Sequence, residues 1–279
     1  MSFTLANIDD RAVLVDGDGN YYDLATVSDG SLGPDPMDAI VDVDGLHALR
    51  GNLATHEPSG SIAGTELGAP VPRPRNCFAI GLNYHAHAAE ADMELPENPL
   101  VFTKFPSCIV GPTAGIELAS ETGDYEAELV VVIGKGGRNI AADDAWDHVA
   151  GLTAGQDVSD RALQFAAKPP HFDLGKSRDT YGPTGPVLVS TDQFAERDSI
   201  GITCDVNDER RQDGSTAQLI FDIPTLIEYL SAIITLAPGD MIFTGTPEGI
   251  GATQGKFLRP GDVVTTTIEG IGTLRNVCS

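Results

Sequence analysis

Asp124-Tyr125-Glu126-Ala127-Glu128 runs directly into Leu129-Val130-Val131-Val132-Ile133-Gly134. An apolar, largely β-branched run closed by glycine reads as a strand. Side chains of a strand alternate between its faces, so Glu126 and Glu128 project side by side at its head. Adjacent carboxylates repel, and packing them together requires a cation between them or a raised pKa. Hard oxygen donors of this kind select Mg²⁺, Mn²⁺ or Ca²⁺ over zinc. In a chain this acidic, a solvent-facing strand end with two acids fits the same spacing, and spacing alone leaves both readings open.

Around this segment the chain is punctuated as a β-rich mixed α/β protein. Arg11–Val15 and Tyr21–Val27 read as a hairpin joined by Asp16-Gly17-Asp18-Gly19-Asn20. That turn is no EF-hand loop, because Tyr21 and Val27 occupy the positions where glycine and glutamate are needed. One short helix is predicted near Pro36–Arg50. The run Pro70-Val71-Pro72-Arg73-Pro74-Arg75 reads as a linker, dividing a small N-terminal domain (1–70) from a catalytic-sized one (71–279). Further strands are predicted at Cys77–Gly81, Met241–Thr246, Val263–Ile268 and Gly272–Val277. An amphipathic helix is predicted from Pro224 to Ile234, with Asp222 near its start.

Charge narrows the function. The 279 residues carry 17 Lys+Arg against 41 Asp+Glu, a formal net charge of −24. A nucleic-acid or anionic-membrane binder would have the opposite sign. Asp outnumbers Glu by 27 to 14 and there are only 5 lysines, a balance suited to a halophilic cytoplasm where salt screens the repulsion. No apolar run is long enough to span a bilayer, and the N-terminal MSFTLANIDD lacks a basic and an apolar leader region, so the expectation is a cytoplasmic protein. Cys77, Cys108, Cys204 and Cys278 show no metal or disulfide spacing and read as small buried hydrophobes.

Three other groups could carry chemistry. If Asp157–Gln164 is helical, Asp157, Arg161 and Gln164 fall on one stripe, able to serve a metal and an anionic substrate together. An exposed salt bridge fits that spacing too. In Gly81–Glu90, His87 and Glu90 are i, i+3 neighbours on a helix, where a carboxylate can orient an imidazole as general base or simply form a surface ion pair. Lys176, one of the few lysines, follows Gly175 and could reach an anion.

Taken in order, these segments resemble the fumarylacetoacetate hydrolase family. The shared motifs are GLNY with H-x-x-E (Gly81 to Glu90), the DYEAE strand (Asp124 to Gly134) and DVS-x-R-x-x-Q (Asp157 to Gln164). GKS-x-D (Gly175 to Asp179), TGTP-x-G (Thr244 to Gly249) and L-x-x-GD (Leu258 to Asp262) complete them, so the resemblance spans about 75–279. It implies a β-roll catalytic domain behind a small hairpin domain, usually dimeric. It implies Glu126, Glu128 and Asp157 as ligands of Mg²⁺ or Mn²⁺, with Ca²⁺ able to replace them in a crystal. It implies His87 and Glu90 as a water-activating dyad on a lid, with Lys176 as the third catalytic residue. Arg161, Gln164 and Thr246 match substrate-binding positions.

The implied reaction is hydrolysis of a C–C bond in a small 2-oxo or β-diketo acid, an acylpyruvate or fumarylacetoacetate-like compound, through an enolate stabilised by metal and Lys176. The same motifs serve oxaloacetate-type decarboxylases, 2-hydroxymuconate-type isomerases and 2-oxo-3-deoxy sugar acid dehydratases. Three departures stand out: Gln156 replaces the usual Asn, Phe105 follows Lys104 where Pro is common, and Arg178 stands where Phe is usual. Arg178 and the Lys168–Asp173 loop are expected to reshape the distal substrate pocket.

Overall fold

The computed structural model describes residues 2–90 and 92–279. The chain opens with strands β1 (Thr4–Ile8), β2 (Arg11–Val15) and β3 (Asn20–Asp23). Helices α1 (Leu24–Val27), α2 (Pro36–Ala39) and α3 (Val43–Asn52) follow, then the short strand β4 (Gly60–Ser61). Next come β5 (Cys77–Gly81), helix α4 (His85–Glu90), β6 (Leu100–Lys104) and β7 (Ile109–Val110). Strands β8 (Gly123–Asp124), β9 (Ala127–Ile133), β10 (Val149–Gln156) and β11 (Ser159–Asp160) lead into α5 (Arg161–Gln164) and α6 (Phe172–Gly175). After β12 (Gly182–Val189), β13 (Gly201–Val206) and β14 (Glu209–Ser215) comes the long helix α7 (Ile223–Ile233). The chain ends with β15 (Met241–Phe243), α8 (Gly251–Gln254), β16 (Val263–Ile268) and β17 (Gly272–Val277).

Among the described residues, one sheet runs β4-β3-β2-β1-β12-β10-β9-β15-β5-β6, with β7 beside β12. A second sheet runs β14-β13-β16-β17, and β8 pairs with β11. This is the β-rich mixed α/β architecture read from the sequence. β9 lies inside the large sheet and is buried throughout. Leu129, Val131 and Ile133 join a core with Ile202, Val264 and Leu226, while Val130 and Val132 join another with Leu24, Ile40 and Leu46. With both faces covered, every position from Leu129 to Ile133 is apolar, which explains why that run does not alternate. Each such side chain contributes about 1.5–3 kcal/mol on burial.

Local chemistry moves several expected boundaries. The return strand of the first hairpin stops at Asp23, whose carboxylate accepts the Thr26 N–H and starts α1. The Asp16 carboxylate accepts the N–H groups of Asp18 and Asn20, holding the acidic run as a turn. The helix predicted near Pro36–Arg50 is two helices, because Asp42 caps a new start by accepting the Gly45 N–H. Pro70, Val71 and Pro74 are buried, so the proline-rich segment packs against the body rather than swinging free. Leu5 of β1 stands opposite Leu188 of β12, which carries the N-terminal strands into the large sheet. Among the described residues no helix is long and apolar enough to cross a membrane.

Candidate active site and metal centre

The site begins at the head of β9. Ala127 is paired with Gln156 and Glu128 with Gly155 of β10, so Asp157, the next residue after β10, arrives beside the two glutamates. Ligand oxygens of Glu126, Glu128 and Asp157 lie within 4.8 Å of one another, and all three residues are buried. Two glutamines fix this strand end. Gln156 Oε1 accepts the Glu126 N–H at 2.8 Å, and Gln212 Oε1 accepts the Ala127 N–H at 2.9 Å. The Gln156 side chain therefore helps set the aim of the acids, with its Nε2 anchored on Thr266 at 2.9 Å.

Cations surround the acids unequally. Lys176 Nζ donates to Glu126 at 2.6 Å and to Asp157 at 2.8 Å. Arg161 donates to Glu126 at 2.5 Å, to Asp124 at 2.9 Å and to Gln164 Oε1 at 2.9 Å. Lys104 Nζ donates to Asp157 at 2.7 Å, to the Tyr181 carbonyl at 3.1 Å and to the Lys176 carbonyl. Among the described residues Glu128 has no cation in hydrogen-bond contact; its carboxylate accepts the Gly245 N–H at 2.8 Å. That approach needs glycine, since Gly245 has φ +101° and a Cβ there would stand 2.8 Å from the Asn83 Cβ.

The acids titrate apart for this reason. Burial alone would raise the Glu126 carboxyl, but Lys176 and Arg161 outweigh it and hold Glu126 below the ordinary range. Burial pushes Glu128 well above that range, and Asp157 and Glu126 push it further. Burial opposes the charge of Lys104, yet Asp157 keeps its pKa raised. Three buried oxygen donors, one of them lacking a cation, suit a hard divalent ion such as Mg²⁺ or Mn²⁺.

A cavity of about 310 Å³ opens on this cluster, with Glu126, Arg161, Gln164 and Lys176 at one end and Phe102, Phe172 and Ile250 along its walls. A larger open groove of about 970 Å³, by Asp192 and Asp222, contains none of these groups. His87 and Thr253 also line the site cavity. His87 Nδ1 is 3.7 Å from Glu90 and buried without a hydrogen-bond partner. Glu90 instead accepts from the Gly249 N–H at 3.0 Å and from the Thr253 hydroxyl at 2.7 Å.

Several expectations need correction. Asp157, Arg161 and Gln164 do not form a helical stripe: α5 starts only at Arg161, because Asp160 is extended and caps it by accepting the Leu163 N–H. The three residues meet nonetheless, through the sheet rather than a helix face. Lys176 and Arg161 are buried, which removes the alternative of an exposed salt bridge at Arg161. Thr246 lines the site cavity, and its hydroxyl donates to the Ala127 carbonyl at 2.9 Å and accepts from Gln212 at 2.8 Å. Arg178 pairs with Asp160 at 2.9 Å and does not line the cavity; from that loop it is Phe172 that does, packed edge-on to Phe102 with centroids 5.5 Å apart. Sequence reasoning missed Lys104 and Asp124. The scarcity of lysine that drew attention to Lys176 applied equally to Lys104, and Asp124 shares the strand parity of Glu126 and Glu128.

Residues 76–279 match the family model described as fumarylacetoacetate (FAA) hydrolase C-terminal. The chain belongs to the fumarylacetoacetate hydrolase family. Within the fumarylacetoacetate hydrolase family it is 46% identical over 224 residues to oxaloacetate tautomerase YisK of Bacillus subtilis, covering 77% of this chain and 74% of that protein. It is 39% identical over 269 residues to the mitochondrial oxaloacetate tautomerase fahd2 of Xenopus laevis, covering 94% and 83%. A similar solved structure is maleylpyruvate hydrolase from Sphingobium sp. SYK-6, in complex with manganese(II) ion and pyruvate. The TM-score is 0.83 at 31% identity, covering 99% of this chain and 98% of that one.

Proposed function

We propose that this enzyme uses a divalent metal and moves a proton at C3 of a small 2-oxo acid, interconverting keto and enol forms of an oxaloacetate-like substrate. The state of the His87–Glu90 pair carries this reading. Activation of water by such a pair needs the carboxylate bonded to the ring, where it stabilises the imidazolium. Here Glu90 stands 3.7 Å from Nδ1 with both oxygens bonded elsewhere, leaving the imidazole to exchange a proton with substrate by itself. The oxaloacetate tautomerases among the relatives support the same chemistry, and manganese with pyruvate in the maleylpyruvate hydrolase supports a dication and a 2-oxo acid at this site.

Glu126, Glu128 and Asp157 would hold Mg²⁺ or Mn²⁺, which when bound supplies Lewis-acid polarisation of the 2-oxo group. Arg161 and Lys176 supply positive charge at the carboxylate-binding end, and Gln164 orients Arg161 through its Oε1. Phe102, Phe172 and Ile250 line the walls, so bulk water is kept from the exchanging proton. His87 takes the C3 proton in the keto-to-enol direction and returns it in the other.

Hydrolysis of an acylpyruvate is the second reading, supported by the cavity of about 310 Å³, which has room for more than a four-carbon acid, and by the maleylpyruvate hydrolase. The test is to load the purified protein with Mn²⁺ and follow enol-oxaloacetate absorbance beside release of pyruvate from an acylpyruvate. Accelerated enol decay is expected. Cleavage of the acylpyruvate with enol decay left at its uncatalysed rate would sink the tautomerase reading.

A further inference from the structure

We infer that Thr253 is a positioning residue that selects between the two reactions, by holding Glu90 away from His87; this rests on His87 acting alone in proton transfer, as proposed above. Glu90 is gripped by two donors on one segment, the Gly249 N–H at 3.0 Å and the Thr253 hydroxyl at 2.7 Å. Gly249 can present its N–H there because it has φ +99° and no side chain; a Cβ would run into the Arg211 carbonyl. The cost of this grip falls on His87. Its Nδ1 is buried and unpartnered although a carboxylate stands 3.7 Å away, past hydrogen-bond reach.

The Thr253 hydroxyl has one hydrogen and two acceptors, Glu90 at 2.7 Å and the Ile250 carbonyl at 2.9 Å. It therefore keeps a hydrogen bond whether or not Glu90 is present, and releasing Glu90 leaves no orphaned donor on α8. A Glu90 freed from Thr253 has His87 within a small side-chain rotation. The chemistry then changes. With Glu90 bonded to Nδ1–H, the other ring nitrogen becomes a stronger base and can take a proton from water. The resulting hydroxyl oxygen bonds to the acyl carbon of a 2,4-dioxo acid. The C3–C4 bond breaks with its electron pair passing to the enolate of pyruvate, and the proton held by His87 returns to C3. With Glu90 held away, His87 exchanges a proton at C3 and the C–C bond stays intact.

The experiment uses the full chain loaded with Mn²⁺ and one acylpyruvate. It measures C3 deuterium incorporation by NMR alongside pyruvate release. Thr253→Val is expected to raise the ratio of hydrolysis to exchange by about tenfold, a fraction of the ~10²–10⁴-fold that a full general-base contribution supplies. Thr253→Ser is expected to restore the wild-type ratio, and Glu90→Gln in the Val background to remove the gain. Thr253→Ala, which adds no methyl to pack, serves if the Val variant does not fold. An unchanged ratio with C3 exchange intact overturns the inference and leaves the proposed function standing. No C3 exchange in the wild-type protein overturns the proposed function, and the inference with it.

Discussion

Glu128 differs from its neighbours in being a buried carboxylate whose only direct hydrogen bond among the described residues is from a backbone N–H. Its folded pKa is raised, so the native chain keeps that proton above the pH at which the unfolded chain loses it. Its contribution to stability is therefore lost as pH climbs from the ordinary glutamate range toward the raised value. Glu126 has the opposite sign. Its lowered pKa gives stability that is present above the ordinary range and lost as pH falls through the depressed value. A metal must displace the Glu128 proton to bind. Mn²⁺ affinity, measured by isothermal titration, should therefore rise with pH by up to about tenfold per unit below that raised pKa. Glu128→Gln should remove Mn²⁺ binding while the melting temperature of the metal-free protein holds or rises, because the buried group stays neutral and can no longer ionise as pH climbs. Retained Mn²⁺ affinity in that variant would exclude Glu128 as a ligand.

Secondary-structure elements were legible where a single periodicity ran uninterrupted. β5, β16 and β17 have the bounds expected from their apolar patterns. The strand expected over Met241–Thr246 stops at Phe243, since Gly245 turns to φ +101° to reach Glu128. Functional demand overrides propensity at that point. α7 begins one residue before expectation, at Ile223, with Asp222 accepting the Thr225 N–H at 2.9 Å. Removing that cap with Asp222→Ala should cost about 1 kcal/mol in urea denaturation, without touching metal affinity. α4 has only the six residues His85–Glu90, far too few to be stable in isolation. Its placement depends on tertiary bonds, those of Glu90 to Gly249 and Thr253 among them.

The whole molecule carries −24, and most of its acids lie outside the buried cluster. Repulsion among them reaches across ~30 Å at 0.01 M salt but only ~3 Å at 1 M. The melting temperature should accordingly fall as salt is lowered from molar to millimolar, with the metal centre occupied throughout. A flat profile would show that the surface charge is balanced locally and that salt adaptation is not its role. The arrangement of the large sheet is equally a property of the whole. The N-terminal hairpin continues it through β1 and β12, and α1–α3 cover the face of β9 that carries Val130 and Val132.

The facing of Glu126 and Glu128 could be read along the chain because alternation in a strand is a local rule, and so could the i, i+3 neighbours His87 and Glu90. The convergence of Lys104 with Asp157, 53 residues apart, and of Lys176 with Glu126, 50 residues apart, could not. Periodicity tells which way a side chain points from its own element and says nothing of what stands opposite. That depends on register. Cys77 pairs with Lys104, Met241 with Cys77 and Val132 with Met241, which sets Lys104 in the row of Val132. It meets Asp157 only through the tertiary fold, where the Lys176 and Tyr181 carbonyls also accept from its Nζ. The separation of Glu90 from His87 is of the same kind. Helical spacing makes them neighbours, and only the packing of α4 against Gly249 and Thr253 decides that the carboxylate bonds outward instead of to the ring.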